Sequence, residues 1–364
     1  MHALIHSKPK NKTWFKQAKY TFGQVATQVL GAVPYQLQAA LPRHYDFDAH
    51  TFSKKFASTH YGVMIPDLPE PLRYLSFAAV IGDVGAKITR TSPKLTQYVP
   101  VDTATLVHST ALTEQNDGLH IYSVDQDLSF QQSPFRANFS DDAALYEEDG
   151  VYRLESHFDN LQVDLTLTPT EAITWFAYGT WYQHFSLLMH YQGVITQDNE
   201  KYVVQGLCTL EHWKAISTSL FYKKVLPEKL ALPLDTFSYQ VINLNASEQL
   251  VLAYVGIAGE PAYTAVSYRH TDGTSIQYEH AQFEVLALKT DTLLTPDGYV
   301  MEVPQSFRWL VTHQGKQVLD LLAVVDTPYC YGLAAGYVGS YQWSGEFEQE
   351  KMMGRGYLEY IDRR

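Results

Sequence analysis

One short pattern occurs twice in this chain of 364 residues. Gly206-Leu-Cys-Thr-Leu-Glu211 corresponds to Gly354-Arg-Gly-Tyr-Leu-Glu359, and each copy follows an aromatic-x-Gly step, Tyr191-Gln-Gly193 or Trp343-Ser-Gly345. An earlier echo keeps the same order, Asp164-Leu-Thr-Leu-Thr-Pro169 against Asp291-Thr-Leu-Leu-Thr-Pro296. Chance competes as an explanation, because Leu, Thr and Gly are common in strands. Two echoes in one order favour a duplicated unit, since self-similarity is the sequence trace of repeated architecture.

The first copy lies in Thr180–Trp213, which reads as two strands joined by a polar turn at Gln197–Lys201. Trp181, Phe185, Leu187, Met189 and Tyr191 alternate onto one face, with Gln183 as the polar exception. Tyr182, His184, Ser186, Leu188 and His190 take the other. Period-two alternation marks a half-buried strand. Helical periodicity is nearly absent elsewhere. Short strand patterns recur instead, Leu119–Val124, Phe135–Phe139, Val151–Phe158 and Leu161–Leu167 before the hairpin, and a similar run from Phe237 to Ile361 after it. Turn signals such as Asp117-Gly118 and Asp149-Gly150 separate them. The expected fold is all-β, two tandem antiparallel barrels or sandwiches. A basic leader spans residues 1–45, a first β-domain 46–225 and a second 226–364. Tyr61–Pro71 reads as a proline-punctuated loop. His44–His50 reads as a surface loop whose acids and histidines lack metal-ligand spacing.

Composition narrows the partners. The 26 Tyr, 17 Phe and 6 Trp suit strands and aromatic-lined interiors. A net charge of −12 argues against nucleic acid as a partner. The leader carries Lys8, Lys10, Lys12, Lys16, Lys19 and Arg43 without an acid, +6, which leaves 21 basic and 39 acidic residues, −18, for the body. Such a leader, with one candidate helix at Lys16–Val33, can dock on the acidic body or make weak contact with a membrane surface. No apolar run approaches the roughly 18 residues of a spanning helix, and the signal-peptide pattern is poor. Cys208 and Cys330 make no disulfide framework. A cytoplasmic protein without metal or cofactor is expected.

Two stretches resemble a known family. Tyr239-Gln-Val-Ile-Asn-Leu-Asn-Ala-Ser-Glu-Gln-Leu-Val-Leu-Ala-Tyr254 is similar to the stretch that opens the second half of the AttH and carotenoid-hydratase (hydroxyneurosporene synthase) family. Gly354-x-Gly-Tyr-Leu-Glu359 is similar to the strand that closes those proteins. The resemblance covers about a fifth of the chain. It implies two lipocalin-like barrels in tandem and the handling of large apolar molecules of lipid, isoprenoid or polyketide type. One departure counts against hydration. Where the family carries an aromatic–Asp pair this chain has Tyr239-Gln240, and glutamine cannot protonate an alkene.

The candidate residues follow from chemistry. Protonating an alkene needs a carboxyl kept neutral by an apolar site. Glu211 and Glu359 stand beside aromatics on strands, but their matching positions suit an architectural role, since a catalytic acid is needed once. His184, on one face with Tyr182 and His190, is either a pocket proton donor or part of a solvated or domain-interface face. Glu211 and His212 are neighbours on a strand and point to opposite sides. Trp175, Trp181, Tyr182, Tyr191, Trp213, Tyr239, Gln240, Trp309, Tyr341 and Trp343 form the candidate ligand-lining set, each also at home in an ordinary core. Two functions fit: binding of a hydrophobic small molecule in an aromatic cavity, or a cofactor-independent cyclase, isomerase or hydratase in which Glu211 or His184 supplies a proton.

Overall fold

The computed structural model describes residues 41–364, apart from 91–94, 96, 97, 218–226, 228, 229 and 279. The leader, except for residues 41–45, its candidate helix and the boundary between residues 225 and 226 therefore lie outside the described residues.

The first sheet uses β1 (Ser58–Ile65), β2 (Leu75–Gly82), β3 (Thr103–Ser109), β4 (Leu119–Ser123), β5 (Leu128–Gln131) and β6 (Arg136–Phe139). It continues with β7 (Ala143–Glu148), β8 (Val151–His157), β9 (Leu161–Tyr178), β10 (Tyr182–Gln197) and β11 (Glu200–Ala215). The second unit contains β12 (Leu234–Asn243), β13 (Glu248–Ile257), β14 (Glu260–His270), β15 (Ser275–Tyr278), β16 (His280–Leu288), β17 (Leu293–Leu294) and β18 (Val300–Met301). It ends with β19 (Pro304–His313), β20 (Lys316–Val325), β21 (Cys330–Leu333), β22 (Gly336–Phe347) and β23 (Glu350–Asp362).

Both sheets are antiparallel, nearly closed and share one topology. In the first the order is β4-β3-β2-β1-β11-β10-β9-β8-β7-β6-β5, and in the second β15-β14-β13-β12-β23-β22-β20-β19-β16. In each unit the first strand pairs with the last, and the two edges are consecutive in the chain, β4 with β5 and β15 with β16. The chain is a tandem of lipocalin-like barrels. No helix among the described residues is long and apolar enough to cross a membrane.

Register carries the duplication down to single residues. Tyr191 faces Gly206 across β10–β11 as Trp343 faces Gly354 across β22–β23. A Cβ at Gly206 would stand 3.1 Å from the Tyr191 ring, and one at Gly354 3.1 Å from the Trp343 indole. Leu210 and Leu358 are both fully buried in the cores of their own units. The earlier echo needs correction. Asp291–Pro296 leaves the main sheet for the small β17–β18 hairpin. The counterpart of Asp164 is Asp320: a Cβ at Gly193 would come within 2.0 Å of the Asp164 carbonyl oxygen, and one at Gly345 within 2.0 Å of that of Asp320. Pairing register identifies the repeat where sequence similarity does not.

Two loop readings are also corrected. Ser58–Ile65 is a fully buried strand between β2 and β11, so Tyr61–Ile65 belongs to the sheet, and the proline-rich loop starts only at Pro66. Within His44–His50, Phe47 is inside the first barrel among Phe135, Tyr152, Phe185 and His212. Its carbonyl accepts from the Tyr61 hydroxyl at 2.7 Å. Burying one such ring is worth about 2–3 kcal/mol, which outweighs the polarity of the acids on either side of it.

Candidate functional site

The barrels dock through their outer faces. On β11, Leu210 and His212 point into the first barrel and Glu211 points out, toward β12 and β23 of the second. On β23 the alternation sends Leu358 inward, and Glu359 outward to the same seam. The two carboxyls at matching positions thus meet between the units. Glu211 is 3 % exposed and Glu359 4 %.

A hydrogen-bond chain crosses the seam. The Tyr182 hydroxyl and His184 Nδ1 are hydrogen-bonded at 2.9 Å, and His184 Nε2 faces Glu211 Oε2 at 3.4 Å. From the second barrel, the Tyr239 hydroxyl donates to Glu211 Oε1. An imidazole that accepts at Nδ1 carries its proton on Nε2, the tautomer that can donate to the carboxylate. Burial pushes the Glu211 carboxyl up, but hydrogen bonds from His184 and Tyr239 with the nearby imidazoles outweigh it and hold the group below the usual carboxylate range. Glu359 behaves oppositely. Burial, and then the charge of Glu211, raise it well above the ordinary value, and it accepts a hydrogen bond from the Tyr357 hydroxyl at 3.0 Å. Tyr357 bonds in turn to Ser76 Oγ of the first barrel at 2.8 Å. The two carboxyls are therefore shifted in opposite directions, Glu211 toward its charged form and Glu359 toward its neutral one.

Two more groups complete this centre. Arg269, fully buried on β14, donates to Gln249 Oε1 at 3.0 Å and to Ser186 Oγ at 2.9 Å, and burial lowers its pKa. His60 stacks on Trp213 at 5.6 Å and is pushed down to about 4 by burial, so it is neutral. Opposite Glu211 across β1–β11 stands Gly62, where a Cβ would approach His60 Nε2 to 2.8 Å. Above the centre lies an apolar collar of Val80, Trp213, Ala215 and Ala334, with Val84 and Tyr182 packed against it.

The candidate residues fall into four places. Tyr182, His184, Glu211, Trp213 and Tyr239 converge on the seam, while His190 on the same strand face is exposed. Trp175 and Tyr191 belong to the first barrel's core. Trp309, Tyr341 and Trp343 belong to the second, where the Trp309 indole donates to Gln240 Oε1 at 3.0 Å and the Tyr341 hydroxyl is buried without a partner among the described residues. Trp181 is 49 % exposed in the turn before β10, outside the strand it was expected to join. The aromatic set therefore does not line one pocket. Sequence reading missed His60, Ser76, Gln249, Arg269 and Tyr357. His60 was hidden by the loop reading of its strand, and the others carry no signal beyond strand alternation. Among the described residues no group of three or more His, Cys, Asp or Glu could hold a metal ion.

In overall shape the chain is similar to a protein from Nitrosomonas europaea provisionally assigned as AttH, with 14 % identity and a TM-score of 0.58 over 87 % of this chain and 95 % of that one. At that identity the likeness is one of fold alone. CghA, solved with Sch210972, is more distant, with 7 % identity and a TM-score of 0.45 over 84 % and 89 % of the two chains, and it adds nothing to the reading. No curated protein matches the chain in sequence. The model of a family of unknown function, DUF6670, matches residues 78–364, and the chain belongs to that family.

Proposed function

We propose that this protein binds a hydrophobic small molecule of lipid, isoprenoid or polyketide type at the mouth of the seam. The Trp213 collar would take its apolar surface, and the Tyr182–His184 end of the buried chain would take a hydroxyl or carbonyl. The observation that carries the reading is the joining of an aromatic collar to a satisfied, charged hydrogen-bond chain at one place in the fold. Apolar walls with a few fixed polar groups are the usual composition of a small-molecule site, and buried apolar area supplies the affinity at about 25 cal/mol per Å2. Titration with all-trans-retinol, a neutral polyene alcohol, tests it through quenching of tryptophan emission. Saturable quenching is expected, weakened at least about ten-fold in Trp213→Ala with the circular dichroism unchanged. No saturation, or equal affinity in the variant, would count against the site.

A second reading, a cofactor-independent isomerase, cyclase or hydratase, is favoured by the unequal protonation of the two carboxyls. A low-pKa Glu211 is suited to accept a proton. Donation would fall to His184, with Glu359, whose neutral form burial favours, as a second candidate. Glu211 as the donor, one of the two options in the sequence, loses support because His184 and Tyr239 stabilise its charged form.

A further inference from the structure

A cleft lies elsewhere on the first barrel, on strands that do not form the seam. The outer face of β5–β8 carries a cleft of ≈ 420 Å³ lined by Ser129, Arg136, Asn138, Ser140, Asp141, Ala143, Ala144, Glu155 and His157. That volume falls within the roughly 300–1,000 Å3 of small-molecule sites. The floor has a simple cause. Cross-strand register sets Ser129, Asn138, Ala144 and Glu155 in one row, and the single methyl of Ala144 leaves a depression between longer polar side chains.

The walls are held in place. Arg136 Nε donates to Asn138 Oδ1 at 2.8 Å, and Asn138 Nδ2 donates to Ser129 Oγ at 2.9 Å. The Arg136 guanidinium lies over the Tyr146 ring, its Cζ 4.1 Å from the centroid, and the Tyr146 hydroxyl donates to Glu155 Oε1 at 2.8 Å. One tyrosine thus pins a cation with its face and an anion with its hydroxyl. It keeps the two apart, since Arg136 and Glu155 form no ion pair. The terminal Nη donors of Arg136 make no hydrogen bond or ion pair among the described residues, and a planar guanidinium fork with its stem fixed is suited to a carboxylate. Glu155, with Asp141 beside the cleft, is the complement of an ammonium group. A neutral sugar would leave both charges unmatched, and a purely apolar ligand would find only Ala143 and Ala144.

We propose that this cleft binds a small zwitterion, its carboxylate on Arg136 and its ammonium on Glu155. The test uses isothermal titration of the full chain with glycine, 4-aminobutyrate and 6-aminohexanoate, which carry the two charges at increasing separation. Their N-acetyl and methyl-ester forms each lack one charge. At least one free zwitterion should bind below about 10 mM, and either blocked form of it should lose about ten-fold or more. Arg136→Gln and Glu155→Gln should each lose about ten-fold, and Ala144→Leu should abolish binding by filling the floor. Equal binding of the methyl ester would make this a plain cation site and overturn the proposal. So would glucose binding in place of the zwitterions, or no heat from any of the three.

Discussion

Glu211 and Glu359 stand at equal positions of a duplicated strand and titrate in opposite directions. The difference lies in what reaches each carboxyl: an imidazole and a tyrosine hydroxyl for Glu211, a single hydroxyl for Glu359. Two like charges so deeply buried in one seam would be costly, and that cost is what raises Glu359. The stability consequence has a definite sign. A carboxyl raised in the folded state contributes fully below its unfolded value of 4.5, and that contribution is lost as pH rises through the folded value, by up to about 1.4 kcal/mol per pH unit. Glu211, lowered on folding, contributes above 4.5 and loses its share as pH falls. Glu359→Gln keeps the shape and the Tyr357 bond while removing the titration. Urea unfolding from about pH 5 upward should show the variant gaining on the wild type as pH rises, until the folded value is passed. A variant equally destabilised across that range would mean that Glu359 is ionised and paired.

At the scale of the strand pair, the two copies of the pattern differ in one compensated exchange. Tyr341 faces Gly356 inside the second barrel, where Met189 faces Cys208 inside the first. A Cβ at Gly356 would fall 2.3 Å from the Tyr341 ring, so the large residue requires the glycine, and the smaller methionine leaves room for a thiol. Met189→Tyr alone should cost about 1–3 kcal/mol by overpacking. Adding Cys208→Gly should recover most of it, with a coupling of about 1–3 kcal/mol in a double-mutant cycle read by thermal unfolding. Strictly additive effects would show that the two positions are not equivalent. This exchange also marks how far the sequence could be read. Gly206, Gly354, Glu211 and Glu359 announced the repeat because close backbone approach and a buried acid each permit few residue types. Asp320 went unrecognised because its neighbours Leu322 and Ala323 replace Thr166 and Leu167, and β tolerance of such swaps erases similarity while pairing persists. Tyr61–Ile65 reads as loop from the sequence because a strand buried on both faces lacks polar alternation. Arg269 could not be placed from sequence at all, since its partner Ser186 is 83 residues away.

For the whole molecule, the docking of the barrels decides what kind of site exists. The sequence leaves open a cavity within or between the barrels, and both interiors carry packed rings, with Phe47 among Phe135, Tyr152 and Phe185 in the first and Trp309 beside Phe283 in the second. The charged groups gather instead at the seam, where strands from both units are needed to build them. Neither barrel alone carries the full set of Tyr182, His184, Glu211, Tyr239 and Glu359. A ligand held there would be bound by the tandem and by neither half. The most direct measurement is native mass spectrometry of the full chain purified from its own host, as wild type and as Trp213→Ala. A co-purifying apolar molecule on the wild type, absent from the folded variant, is the expected result. Bare protein in both samples, or the same adduct retained in the variant, would contradict a hydrophobic site at the seam.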